Sequence, residues 1–404
     1  MSAVIKTLTF FFPEQARQGF IPHATSGRMW LLRLGYCKLN APLEQADDWA
    51  FFADHAIQIG KHRFLGIIGI RLSHLPPLGE CLQLSDMTPI ALLPVESSNQ
   101  EIVHQQLKAV VLETGVQPRS ILSDEGSDLS GGIDRFCESH PETTRYRDLP
   151  HLAARLLKKR LEKNERWQAF IKAATQTKFV TAQTELALLV PPRLRSKARY
   201  MNLASMLIWA KKVLTVLDDP SLVASELGVE RLNAKFSWVR DYREDVQKWS
   251  GWLTINDAAL DIVRRDGYSA STSGKVKQVL DELTNTAESE LLKQELITIV
   301  ETESSKAKHG ERMPGSTEIL ESSFGKLKEI EGDQSRSGFT SLILIWAALF
   351  GITTPPVIRN AMTRVSVKHV KEWIQKELGS TVQSKRAKLA HALRKKSTEN
   401  PEEP

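Results

Sequence analysis

Three acidic residues stand in local patterns that could carry metal chemistry. Asp54 lies in WAFFADHAIQIG, Asp124 in ILSDEGSD and Glu321 in TEILESSFGKLK. The first interrupts and the second ends an apolar, β-compatible run; the third lies on a stretch with helical periodicity. Carboxylates delivered from two strands and a helix meet only through a tertiary fold. Gathered without a counter-charge, they repel one another and take up protons. A divalent cation removes that conflict, and hard oxygen donors suit Mg²⁺ or Mn²⁺. The expected chemistry is metal-dependent phosphoryl transfer.

Asp54 reads alternatively as an exposed residue alternating on a strand, and the other two acids have neighbours that compete for their roles. Asp128 competes with Asp124, but it precedes a helix and reads as its N-cap; Glu125 reads as a turn residue. Glu318 competes with Glu321 from one turn earlier on the same helix. His55, next to Asp54, should face the opposite side of the strand and is not assigned to metal.

The elements that must position these groups can be read along the chain. SGRMWLLRLGYCKLN (26–40) reads as a short amphipathic helix. WAFFADHAIQIG and FLGIIGIRLSHL read as two strands around a turn at Gly60, Lys61 and His62. TPIALLPVES reads as a third strand that Pro94 ends or confines to an edge. A helix from Asn99 to Gly115 follows, with Ile102, Leu107, Val110, Val111 and Leu112 on or near one face, and then the short strand SILSD. A helix between two strands implies a crossover and parallel pairing, so the sheet is expected to be mixed.

Beyond it, a helix is expected to begin near Asp128, and the stretch from Leu149 to about Val300 reads as mostly helical. A polar loop is expected over 302–316, a helix from Thr317 to Ile330 carrying Glu321, an apolar helix from Thr340 to Phe350 and one further helix over 356–378. The tail from Ser380, with Lys385, Arg386, Lys388, Arg394, Lys395 and Lys396, reads as a basic helix that frays.

Composition sets the frame. The chain is 41% hydrophobic and 25% charged, the balance of a globular protein, and its 404 residues suggest two or three domains or one domain with a large insertion. Its formal net charge of +6 leans toward anionic partners such as nucleic acid. Cys37, Cys81 and Cys137 form no CxxC pair and no ligand spacing with histidine, and read as reduced thiols. No secretory signal pattern is visible. The longest apolar run, around Leu342 to Ile352, falls short of the ~20 residues of a membrane span. A soluble cytoplasmic protein with no membrane partner is expected.

Strand, strand, strand, helix, strand, with one aspartate inside the first strand and another at the end of the fourth, resembles the RNase H-like fold. The motif strings resemble those of DDE-type transposases of bacterial insertion sequences, in the retroviral-integrase superfamily. SGRMWLLRLG and DDWAFFADHAIQIGKHRFLGIIGIRL are similar to their first motif region. ILSDEGSDLSGGI with DLPHLAARLLKK is similar to the second, and ESSFGKLK to the third. The likeness covers about 26–165 and 311–350.

The resemblance implies an α/β fold: an RNase H-like mixed five-stranded sheet with flanking helices, interrupted by a large mostly helical insertion. It divides the chain into a lead-in segment (1–45), the first part of the catalytic core (46–148), the helical insertion (149–310), the C-terminal core helices (311–355) and a C-terminal helix with a basic disordered tail (356–404). Asp54, Asp124 and Glu321 are then the catalytic carboxylates and the ligands of two Mg²⁺ or Mn²⁺ ions, with Asp54 bridging both, Asp124 holding one and Glu321 the other. Double-stranded DNA, as element ends and target, is the implied substrate, with at least a dimer to bring two ends together. Many such transposases begin with a separate end-recognising helix-turn-helix region, whereas here the first acid comes at position 54. End recognition is then left to the insertion, the C-terminal region or a part outside this chain. The alternatives are a nuclease of the same fold that hydrolyses without joining, and a truncated or domesticated DNA-binding derivative without catalysis.

Basic clusters flank the acidic motifs. Arg155, Lys158, Lys159, Arg160, Lys163 and Arg166 lie on one expected helix, Arg193, Arg195, Lys197 and Arg199 form a second group, and Lys326 and Lys328 follow Glu321. These read as phosphate contacts or as solvated helix faces. His151, opening a helix beside the second motif, reads as a DNA or site contact or as a capping residue. Trp209, Trp238, Trp249 and Trp252 are expected to pack in the core of the insertion.

Overall fold

The computed structural model describes residues 21–59, 62–95, 97–193, 203–219, 228–283, 286–331, 341–379 and 388–392, with isolated positions before 21 and at 221 and 386. The chain divides into two compact units, Met1–Tyr146 with Thr317–Pro404, and Arg147–Ser316. Among the described residues no helix is long and apolar enough to cross a membrane.

The first unit opens with helix α1 (Ala24–Leu39) and a three-stranded meander, β1 (Trp49–Ile59), β2 (His62–Arg71) and β3 (Thr88–Val95). Helix α2 (Gln100–Thr114) follows. The Asn99 side chain caps it by accepting from the Ile102 N–H at 2.9 Å, and Gly115 ends it with a φ of 69°, a backbone that costs glycine nothing. Strand β4 (Ser120–Ser123), helix α3 (Ser127–Ser139) and strand β5 (Thr144–Arg147) complete this part.

The sheet order is β3-β2-β1-β4-β5, with β1 antiparallel to β2, β2 antiparallel to β3 and β1 parallel to β4. It is the expected mixed five-stranded α/β sheet. Pro94 lies on β3, an edge strand, where its missing N–H breaks no ladder on the open side. The fifth strand was not assignable from sequence: TRYR is four residues long and only Tyr146 is buried.

Strand alternation divides the sheet's two faces. Trp49, Phe51 and Ala53 of β1, Leu65 and Ile67 of β2, and Ile121 of β4 share one core with Val103, Leu107 and Val110 of α2 and Leu129, Ile133 and Phe136 of α3. Val103 rather than Leu112 completes the buried face of α2; Leu112 is 85% exposed. Phe52, Asp54, Phe64 and Gly66 belong to the opposite face.

The second unit is helical: α4 (Leu149–Leu161), α5 (Glu165–Thr181), α6 (Leu203–Asp218), α7 (Val229–Phe236), α8 (Arg243–Asp266), α9 (Thr272–Asp281) and α10 (Ala287–Ser304). Trp209, Trp249 and Trp252 are buried, as expected of core residues, and Trp167 meets Trp249 edge-on at 4.8 Å. Each such ring contributes a few kcal/mol through the area it removes from water. The unit's entry and exit are joined by a fully buried carboxylate. Glu303 accepts from the Arg147 N–H at 3.0 Å, the Arg147 guanidinium at 2.6 Å and the Lys306 ammonium at 2.7 Å. Two cations and a backbone donor offset the desolvation of that charge.

The chain then returns to the first unit through α11 (Glu318–Glu331), α12 (Ile345–Ala348), α13 (Pro355–Arg364) and α14 (Val367–Glu377). Two expectations are corrected here. The apolar segment around Thr340 to Phe350 is a 3₁₀ turn over Ser341–Leu344 followed by the single helical turn of α12. Residues 356–378 form two helices, because Val365 turns to an extended ψ of 114° and Ser366, at ψ 164°, starts the second helix as its cap. Leu32 of α1 joins Leu344, Ile345, Val365 and Val370 in a second core.

Candidate metal centre

Strand register sets Asp54 and Asp124 at equivalent positions of neighbouring chain segments. In the parallel β1–β4 pair the last partners are Ala53 and Ser123, so the next residue on each chain is one of the two aspartates. Neighbouring strands run about 4.8 Å apart, and residues at equivalent positions share a face. Phe52 and Leu122 pair two positions before Asp54 and Asp124, and so mark the same side. Both aspartates are half-buried.

That side carries α11. Asp54 pairs across β1–β2 with Gly66, and a side chain at Gly66 would meet Phe324 and Trp346 ring carbons at 3.1 Å. The missing Cβ lets the Phe324 ring lie directly on the sheet beside Asp54. A glycine inside the apolar run FLGIIGI was the sequence signal for this close approach. Phe324 meets Phe64 edge-on at 5.5 Å, and Ser323 accepts the Trp346 indole N–H at 2.8 Å, so α11 is held against both the sheet and α12.

The helix geometry separates Glu321 from its competitor. Leu320, Ser323, Phe324 and Leu327 form the buried seam of α11. At 100° per residue, Glu321 falls about 110° from the middle of that seam, on the Phe324 side, while Glu318 falls about 170° away. Glu321 and Glu318 are both half-buried, and exposed Lys328 follows Glu321 on the same side of the helix two turns later. Lys326, also exposed, flanks the other side of the seam.

Asp128 belongs to a different network, and its expected role as N-cap is corrected. The cap of α3 is Gly126, and Asp128 lies within the first turn. His55, on the β1 face opposite Asp54, receives a hydrogen bond from or donates one to Ser98 Oγ through Nε2 at 3.2 Å, and its Nδ1 lies 3.8 Å from Asp128. Burial lowers the His55 pKa, against the pull of Asp128 and a weaker one of Asp124. Burial also pushes the Asp128 carboxyl up, but the Ser98 hydroxyl, His55 and the backbone N–H groups at 128–129 outweigh it and leave the group lowered. Asp128 is thus occupied on the far side of β1. Sequence reasoning missed Ser98, which carries no local signal.

The donor set fits a hard divalent ion in its chemistry, being made of carboxylates from a strand, a strand end and a helix. Asp124 accepts the Gly126 N–H at 3.0 Å through one carboxylate oxygen. Among the described residues no three His, Cys, Asp or Glu side chains are already gathered into a cage.

The basic residues sort unevenly. Those expected on one helix are split between α4, which ends at Leu161, and α5, which carries Arg166. Lys158 lies 3.6 Å from Glu162, Lys159 3.1 Å and Arg160 2.6 Å from Glu295, and Arg166 2.6 Å from Asp245, so much of this cluster is neutralised within its own unit. Arg155 and Arg193 are exposed. Arg195, Lys197 and Arg199 lie outside the described residues, as do Lys385, Arg394, Lys395 and Lys396. His151 is held by Asp148, the fully buried cap of α4, at 2.5 Å through Nδ1. Asp148, not His151, is the cap, and its carboxylate also accepts the His151 backbone N–H at 2.9 Å. No family model matches the chain, and no curated protein matches it either.

Proposed function

We propose that this chain is a DDE-type transposase with an RNase H-like core, a metal-dependent enzyme that cuts DNA strands and joins a released 3′-hydroxyl to target DNA. The observation that carries the reading is the arrangement of the acids. Asp54 and Asp124 follow the last paired residues of two adjacent parallel strands, and Glu321 flanks the seam of the helix packed over that face. Bound Mg²⁺ or Mn²⁺ ions would supply Lewis-acid stabilisation of the attacked phosphate and of the departing oxygen. Asp54, Asp124 and Glu321 would hold them, and half-burial limits competing water at the carboxylates. The sheet and α11 fix the direction from which each carboxylate arrives, which is the protein's share of such catalysis. Lys328, on the Glu321 side of α11, is suited to hold a DNA phosphate beside the acids.

The test uses the purified full chain, linear duplexes made from the DNA flanking its gene, and a supercoiled target plasmid. Strand cleavage and joined product are expected with MgCl₂ or MnCl₂ and not with EDTA. Asp54→Asn, Asp124→Asn and Glu321→Gln should each lower both by about 10³-fold. Divalent-dependent cleavage that survives all three changes sinks the assignment. Hydrolysis without joining identifies a nuclease of the same active site.

A further inference from the structure

We infer that α13 and α14 form a helix-turn-helix surface that reads the major groove of duplex DNA, with α14 as the reading helix. This rests on the proposed DNA-processing function for its partner, but on none of the three acids.

Two short helices, Pro355–Arg364 and Val367–Glu377, are separated only by Val365 and Ser366. The joint is made rigid from three sides. Val365 is buried in the core beneath it. The Arg33 guanidinium of α1 donates to the Val365 carbonyl at 2.5 Å and to that of Met362, taking up carbonyls that the end of α13 leaves open. The Ser366 hydroxyl accepts from the His369 N–H, and His369 Nδ1 accepts from the Ser366 N–H, a closed capping box on α14.

Helix α14 is anchored by one face and open on the other. Val370, Trp373 and Ile374 pack toward α1, and the His369 ring stacks on Tyr36 at 6.1 Å. Lys368, Lys371, Glu372 and Gln375, at spacings of three, four and seven residues, form the opposite face, and all are exposed. Lys371 and Gln375 are residue types that address guanine and adenine edges, and Glu372 is one that accepts from cytosine. Lys368 lies 3.7 Å from Glu372, which pre-orients the pair. On α13, Arg359 and Arg364 are exposed, in the place from which a first helix meets the phosphate backbone. The sequence beyond α14 adds Lys385, Arg386 and Lys388. A rigid, cationic helix pair presenting amide, ammonium and carboxylate groups in one row is complementary to a duplex groove.

The test is selection of a random 20-base-pair duplex pool by the full chain, followed by fluorescence anisotropy on the enriched duplex over a salt series. Wild type is expected to enrich a motif. Lys371→Ala and Gln375→Ala should each weaken binding to that motif about 10-fold, with less effect on unselected duplex. Arg359→Ala and Arg364→Ala should weaken both duplexes alike and lower the salt slope by about 1. Asp54→Asn should bind the motif as wild type does, which separates this surface from the proposed metal centre. All these side chains are exposed or half-exposed, and unchanged melting temperatures verify that the variants are folded. Failure of wild type to enrich any sequence, or an unchanged motif and affinity in folded Lys371→Ala and Gln375→Ala, overturns the inference.

Discussion

Replacing Gly66 with alanine should damage the candidate metal centre without touching any of its carboxylates. The new Cβ would lie 3.1 Å from Cε1 and Cζ of Phe324 and from Cζ2 of Trp346. Carbon atoms pack best at about 3.5–4.0 Å, so the rings must retreat by roughly 0.4–0.9 Å. Such overpacking costs about 1–3 kcal/mol. Because Phe324 and Glu321 are one turn apart on α11, the retreat carries Glu321 away from the Asp54 strand. A displacement approaching 1 Å at a reacting centre costs up to about 10²-fold in rate. The control is Gly69→Ala. Its Cβ meets Phe51 at 3.0 Å, Trp49 at 3.2 Å and the Ala50 carbonyl at 3.3 Å, and so crowds the face away from α11. Both variants should melt earlier than wild type. Plasmid cleavage with Mn²⁺, normalised to folded protein, should fall about 10- to 100-fold in Gly66→Ala and stay within about 3-fold in Gly69→Ala. Equal cleavage by the two variants at equal folded concentration would refute the link between α11 seating and the acids.

Other expectations concern stability and binding. Burial alone would raise the Asp48 carboxyl, but hydrogen bonds from Arg71 and Ser73 outweigh it and hold the pKa at about 2. Because the folded value is depressed, this contribution is complete above about pH 4 and lost as pH falls toward 2. Asp48→Asn should therefore flatten the acid limb of a stability–pH profile, by roughly 1 kcal/mol after allowance for solvent screening; a profile that overlays wild type counts against it. Glu303→Ala leaves Arg147 and Lys306 without their shared carboxylate, and about 3–5 kcal/mol should disappear from the 147–316 unit, read by calorimetry or by faster proteolysis inside that unit. Wild-type affinity for duplex DNA should fall steeply between 50 and 200 mM salt, roughly in proportion to the number of phosphates contacted, and a flat response would exclude the basic residues as the footprint.

Local pattern was enough for much of the sheet. The alternation in WAFFADHAI is local, and β1 and β2 pair from Trp49–Arg71 to Ile59–His62; the expected turn residues Gly60 and Lys61 lie outside the described residues. The Asn99 cap and the Gly115 stop of α2 are also local events, set by side-chain and backbone chemistry within a few residues. β5 was illegible because TRYR has neither length nor alternation and exists as a strand only in the sheet that contains β4. The break between α13 and α14 was missed because no proline or glycine marks Val365 and Ser366; the burial of Val365 and the Arg33 clamp hold it.

For the candidate site, the amino-acid sequence alone determined which residues have the right chemistry. Carboxylates at Asp54, Asp124 and Glu321 are hard oxygen donors whatever the fold does with them. Only tertiary structure could choose among neighbours of identical chemistry. Strand parity sends Asp54 and His55 to opposite faces, and the second of these faces holds Asp128 with Ser98. Helix phase sets Glu321 beside the buried seam of α11 and Glu318 across from it. The close seat of Phe324 over Gly66 depends on two residues far apart in the chain. Donor type is a property of one side chain and can be read from a letter; direction of approach is a property of packed elements, and no local pattern contains it.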